Sequence, residues 1–167
     1  MKPCTIVLTT TEEELKEVAA LATKIWHQHF VPLLGEAQVD YMVEKYQSYP
    51  AMRGQIASGY RYYRMFDGDT LVGYTGVHPE NGALFLSKLY VQQESRGNQF
   101  ASQAFRFLVE LCKKEGWSKI WLTCNKHNDH TLEIYHHLGF QITDSVVTDI
   151  GCGFVMDDYI LEYPISK

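Results

Sequence analysis

The sequence predicts an α/β protein of the α+β kind, built on a mixed, mostly antiparallel twisted sheet with one parallel βαβ pair at its centre. Three observations carry that expectation. Apolar residues recur with a period near 3.6 from Leu15 to Phe30 and again from Phe100 to Leu111, which marks amphipathic helices. Between these helices, from Tyr60 to Val91, the period falls to two, and turns at Asp67-Gly68-Asp69 and Pro79-Glu80-Asn81-Gly82 divide it into a meander of strands. A further strand lies beyond the second helix, so Val91 and Ile120 flank a helical crossover and should belong to parallel strands joined with right-handed sense.

Each element has a local cause. Residues 4–9 read as a first strand. Thr10 or Thr11 N-caps the helix that follows, with Glu13 or Glu14 completing a capping box, and its face Leu15, Val18, Ala19, Ala22, Ile25, Trp26, Phe30 is expected to end before Pro32. Gly35 restarts the pattern; Val39, Met42, Val43 and Tyr46 stripe a second helix that ends by Pro50, since the residue before proline disfavours αR. A third helical piece, 51–58, stops at Gly59. Residues 60–66 and 70–78 form a hairpin, 83–91 a third strand, and the helix opening at Phe100 closes at Gly116. Then come a strand over 117–124, a helix over 129–138 capped by Asn128 or Asp129, and a closing hairpin of 140–148 with 154–163 around Ile150-Gly151-Cys152-Gly153.

Composition narrows the function classes. A chain of 167 residues, 46% hydrophobic and 21% charged, suits one domain over 1–167 with its own core. Its apolar runs fall far short of the roughly 18 residues of a membrane span, and Met1-Lys2-Pro3-Cys4 opens no apolar leader, so a cytoplasmic protein without a membrane role is expected. Cys4, Cys112, Cys124 and Cys152 show no ligand spacing and read as buried thiols, and His27 and His29 do not share a helix face, so no metal site is expected. A net charge of −5 argues against nucleic acid as partner and favours a cationic small molecule. Asp144, Asp149, Asp157 and Asp158 read as exposed charge of the terminal hairpin; any that line a pocket would favour a cationic amine.

Chemistry concentrates at the junction after the third meander strand. There a β-branched and aromatic run ends in a polar, Gly-containing turn and a helix begins at once, so backbone N–H groups and the positive end of a helix dipole converge as they do at phosphate sites. Leu89-Tyr90-Val91 and Arg96-Gly97-Asn98-Gln99-Phe100-Ala101 match the acyl-CoA signature Q/R-x-x-G-x-G/A at Arg96 and Ala101, with Gln99 where the signature has Gly. Trp121 to Asn128 forms a second block. Asn128-Asp129-His130-Thr131-Leu132-Glu133-Ile134-Tyr135-His136-His137-Leu138-Gly139-Phe140 forms a third, similar to N-x-x-A-x-x-x-Y-x-x-x-G-F with Thr131 in the Ala position.

Together these blocks, over about residues 70–163, resemble the GNAT superfamily of acyl-CoA-dependent N-acyltransferases. The resemblance implies a parallel pair splayed at an acyl-CoA cleft, with residues 83–140 as the acyl-CoA core and the helices of about 11–58 on the acceptor side. It implies acetyl-CoA as co-substrate, held by Leu89, Tyr90, Val91, the loop and helix start Arg96, Gly97, Asn98, Gln99, Phe100, Ala101 and Ser102, and by Asn125 and Asn128. Tyr135 falls on the position of the general acid, because a phenol stays protonated at pH 7 and can serve a leaving thiolate. Glu80 is a candidate base, and Trp26, Phe30 and Tyr41 are candidates for the acceptor wall. The acceptor implied is a small-molecule or peptide amine, and a homodimer is a further expectation. A rival reading is a non-catalytic acyl-CoA-binding regulatory module, for which Gln99 speaks; a nucleotide site would need a Walker lysine or GxGxxG, and the sequence has neither.

Overall fold

The computed structural model describes residues 2–166. Seven strands form a single sheet in the order β1-β2-β3-β4-β5-β7-β6. β1 (Thr5–Leu8), β2 (Arg61–Asp67), β3 (Thr70–Glu80) and β4 (Ala83–Val91) run as a antiparallel series. β5 (Lys119–Asn125) lies parallel to β4, and β7 (Phe154–Pro164) enters antiparallel between β5 and β6 (Gln141–Gly151). The expected class, a mostly antiparallel mixed sheet with one parallel crossover, is the class observed.

Helices cover both faces because the strands alternate. Tyr62 of β2 packs under α1 (Glu12–Leu34) with Leu15, Val18, Ala22, Ile25 and Met52, whereas its neighbour Tyr63 points to the opposite face and meets Phe107 of α4 (Phe100–Glu115), with ring centroids 5.1 Å apart. α4 and α5 (Asp129–Leu138) close that second face over Leu84, Leu86, Ile120, Leu122 and Phe140. Cys112 and Cys124 are buried, Cys4 is partly buried, and Cys152 departs from the expectation by lying exposed in the turn between β6 and β7. Among the described residues no helix is long and apolar enough to cross a membrane. Among the described residues no cluster of His, Cys, Asp or Glu could hold a metal ion.

Thr11 caps α1 reciprocally: its hydroxyl accepts from the Glu14 N–H, and the Glu14 carboxylate accepts from the Thr11 N–H. Arg64 of β2 reaches the same carboxylate at 2.7 Å and ties the helix start to the sheet. The expected stop before Pro32 is overturned, since α1 continues to Leu34. Proline so near the C-terminus removes one helical hydrogen bond, while Val31 and Leu34 gain a hydrophobic cluster with Trp26, Phe30, Val39 and Met42. α2 (Glu36–Met42) widens into a π turn over Val43–Gln47, and Ser48 then caps α3 (Tyr49–Ala57). Pro50 sits in the first turn of α3, where its missing N–H costs nothing, so this helix starts two residues earlier than expected.

The parallel pair is short for a visible reason. β4 and β5 are in register only at Leu84↔Ile120 and Phe85↔Trp121. Against β3, Gly76 faces Lys88 but Val77 faces Leu86, so Ser87 is an extra residue on β4. Such a bulge bends its strand and increases the twist, and beyond it β4 leaves β5. β3 follows β4 through the bend because Gly73 permits it: a Cβ there would lie 2.4 Å from the Tyr90 carbonyl oxygen.

Candidate active site

A cavity of about 610 Å³ opens where β4 and β5 part. The antiparallel ladder decides what β4 offers to it. The Gln92 N–H donates to Val72 O at 2.8 Å, so by alternation Gln92, Tyr90 and Lys88 turn their main-chain groups toward β3, and Leu89 and Val91 turn theirs toward the space β5 has left. A peptide-like ligand laid along that edge would find unpaired strand groups. The Val91 carbonyl also accepts from Arg96 Nε at 3.1 Å, which fixes the arginine at the mouth of the loop.

That loop then turns into α4 through left-handed backbone. Gly97 has φ +84° and Gln99 φ +61°, so Gln99 adopts the conformation that a glycine would adopt without strain. Its side chain caps nothing. The first N–H groups of α4 have no intrahelical acceptor, as at any helix start, and Arg96, Gly97, Gln99, Phe100, Ala101 and Ser102 all border the cavity. Asn98 does not border it: its amide donates back to Ser95 O at 3.0 Å and shapes the loop.

The opposite wall comes from β5 and α5. Tyr135 is buried against Phe140 and faces the cavity; burial, and then the neighbouring Cys124, push its phenol well above the ordinary value, so it stays protonated. Asn125 accepts from the His127 N–H at 2.8 Å. Asn128 departs from its expected role, since its side chain does not cap α5. It contacts His29 instead, across the cleft. Burial, chiefly, and the positive Arg96 push His29 below the usual imidazole value, and the Asn128 contact acts in the other direction. The sequence reading considered His29 only as a poor metal partner for His27; the available signal was its position beside Phe30 on the apolar edge of α1.

The remaining wall is aromatic and charged. Trp26 and Phe30 border the cavity and pack edge-on against the Tyr90 ring at 5.7 and 6.0 Å. Tyr41 does not: its hydroxyl donates to Ile150 O at 2.6 Å and holds the β6–β7 hairpin to α2. Glu80 lies at the far end of β3, pairs with His78 Nδ1 at 3.2 Å, and is not part of the cavity wall. Lys88 is buried at the bulge, and its ammonium donates to Tyr46 O, to Gln55 Oε1 at 2.9 Å and to the Tyr62 hydroxyl. Burial pushes it down to about 7.

Asp158 corrects the reading of the terminal hairpin. Asp144 and Asp149 are exposed as expected, but Asp158 is only 4% exposed and faces the cavity. It is opposite Asn125 on β5 and Val146 on β6, in the middle strand of three. Burial first, and then the like charge of Asp157, push its carboxyl up to about 6, against the opposing charge of Lys126. The signal was its alternation with Met156 and Ile160, which puts an acid on an otherwise apolar strand face.

Comparison with known proteins gives one consistent result. The family model described as Acetyltransferase (GNAT) family matches residues 19–140. An uncharacterised N-acetyltransferase of Bacillus subtilis (strain 168), YobR, is 25% identical over 118 residues, 71% of this chain; the chain spans only 46% of that relative's length. Among solved structures, the PaiA N-acetyltransferase of Thermoplasma acidophilum in complex with coenzyme A superposes with a TM-score of 0.80 at 18% identity, covering 97% of this chain and 99% of that one. The ribosomal-protein-S18-alanine N-acetyltransferase of Escherichia coli gives 0.74 at 15% identity, covering 99% of this chain and 96% of that one. At such identities these two show likeness of fold.

Proposed function

Because the chain belongs to the GNAT acetyltransferase family, we propose that it transfers an acetyl group from acetyl-CoA directly to a primary amine. One observation carries the reading: β4 and β5 part after two register positions, leaving the main-chain groups of Leu89 and Val91 on one wall of a cavity and Tyr135 on the other.

Acetyl-CoA supplies the acyl group already activated as a thioester. Leu89 and Val91 pair with its pantetheine arm as a strand would, and a β4 N–H polarises the thioester carbonyl toward the oxyanion. Arg96 and the N–H groups at the start of α4 receive the pyrophosphate. Asn125 and Asn128 border the arm from the β5 side, and Trp26 and Phe30 form the acceptor wall. Tyr135, protonated at neutral pH, hydrogen bonds to the departing sulfur and gives it a proton. Transfer is direct, so none of the four thiols needs to carry the acyl group.

The test is release of free CoA from acetyl-CoA in the presence of a panel of amines, followed with a thiol reagent. Tyr135→Phe should keep CoA affinity and lower kcat by roughly 10²-fold. Binding of CoA with no turnover across the panel would leave a regulatory binding module in place of an enzyme.

A further inference from the structure

The Asp158 carboxylate is buried at the cavity wall, and no described residue donates a hydrogen bond to it. A buried charge without a partner is costly, and folded proteins pair such groups with a counter-ion or with donors. Among the described residues, none of the groups that act on it is hydrogen bonded to it. Tyr90 from β4 and Cys124 from β5 are both held protonated by burial, and Asp157 on its own strand adds a like charge. Lys126, the one cation acting on it, is committed to Asp157 at 2.9 Å. Tyr135 and Asp158 both neighbour Cys124 and both line the cavity, so the unpaired carboxylate and the proposed acid share one chamber. The other cations of the cavity wall are engaged elsewhere, Lys88 by Tyr46 O, Gln55 and Tyr62, and Arg96 by the Val91 carbonyl.

Resting on the acetyl-transfer reading above, we propose that Asp158 binds the ammonium of a basic alkylamine acceptor and takes its proton before attack. The steps balance. R–NH3+ gives one proton to the Asp158 carboxylate, and the freed lone pair forms the C–N bond at the thioester carbonyl as the π pair moves onto oxygen. When that pair returns, the C–S bond breaks and sulfur keeps its electrons. Tyr135 protonates the sulfur and regains a proton from the second N–H of the former ammonium, while the proton on Asp158 leaves to solvent. Amide, free thiol and one released proton result. Selectivity follows from the same pairing, since an arylamine that is neutral at pH 7 brings no charge to the carboxylate and needs no base for its first proton.

The experiment compares Asp158→Asn with the unaltered protein on an alkylamine and on an arylamine. The expected result is a loss of roughly 10²-fold in kcat/KM on the alkylamine and about threefold or less on the arylamine. The acidic limb of the alkylamine pH profile, centred near 6 in the unaltered protein, should vanish, and CoA affinity measured by calorimetry should be unchanged. Equal losses on both acceptors with CoA binding intact, or a variant that keeps the acidic limb, would overturn the proposal. Should the unaltered protein turn over no amine, acetyl transfer fails independently, and the ammonium site is then read from calorimetric titration of CoA-saturated protein with 1,3-diaminopropane. Binding weakened about tenfold or more by Asp158→Asn supports the site; equal affinity, or no binding to the unaltered protein, refutes it.

Discussion

Gln99 holds left-handed backbone at φ +61° where α4 begins, a conformation that costs an L side chain about 1–2 kcal/mol. The departure from Gly in the motif is therefore a departure in side chain and not in backbone. Gln99→Gly should stabilise the protein by roughly 0.5–1 kcal/mol, a rise of a few degrees in Tm by thermal unfolding, with CoA affinity kept or improved. Loss of CoA affinity in that variant would mean that the Gln side chain itself serves the ligand. Asp158 makes a different residue-scale prediction. Its folded-state value lies above its ordinary value of 3.8, at about 6, so its contribution to stability is present below about pH 4 and is lost as pH rises through 6. The Tm of Asp158→Asn, which does not titrate, should therefore gain on that of the unaltered protein between pH 4 and 7, and a constant difference over that range would contradict the burial of a charge there.

At the scale of elements, the bulge at Ser87 and the strut at Lys88 act as one device. The bulge carries β4 away from β5, and the adjacent Lys88 ammonium ties the bent strand to the π turn through Tyr46 O, to α3 through Gln55 and to β2 through Tyr62. Each of its three donors has an acceptor, which offsets the desolvation of a buried cation. Lys88→Met keeps the volume but removes the ammonium's bonds to Tyr46 O, which Gln55 still meets, to Gln55 Oε1 and to the Tyr62 hydroxyl, and should cost roughly 1–3 kcal/mol in denaturant unfolding. Because the strut leads to the helices proposed to flank the acceptor, KM for the amine should rise more than the dissociation constant for CoA. The element order, both hairpins and the strand-loop-helix junction were legible in the sequence, since each rests on a period of 2 or 3.6 and on nearby turn residues. Ser87 was not: a bulge is one extra residue relative to a partner strand, and Tyr60 to Val91 alternates well enough locally to hide it. Pro32 misled for a related reason, because its cost is local and the cluster of Val31 and Leu34 with α2 that outweighs it is not.

The whole molecule joins two helical layers across one sheet, and the cavity lies where the sheet divides. A ligand that bridges both halves should stabilise them together. CoA at about a hundred times its dissociation constant should add about 2.7 kcal/mol, several degrees in Tm for a chain of this size, and a Tm indifferent to CoA would sink the acyl-CoA reading. By itself, the sequence determined the class of fold, the strand-loop-helix junction at Arg96 to Ala101 and the placement of Tyr135 four residues before Gly139, because propensity, periodicity and motif spacing are properties of neighbouring residues. Only the tertiary structure decided that His29, Lys88 and Asp158 border the same cavity, that Glu80 and Tyr41 do not, and that Asp158 is buried with no hydrogen-bond donor among the described residues. The insertion of β7 between β5 and β6 and the bend in β4 set those distances. The state of a charge follows from how far water is excluded from it, which pairing between distant strands determines and local sequence does not.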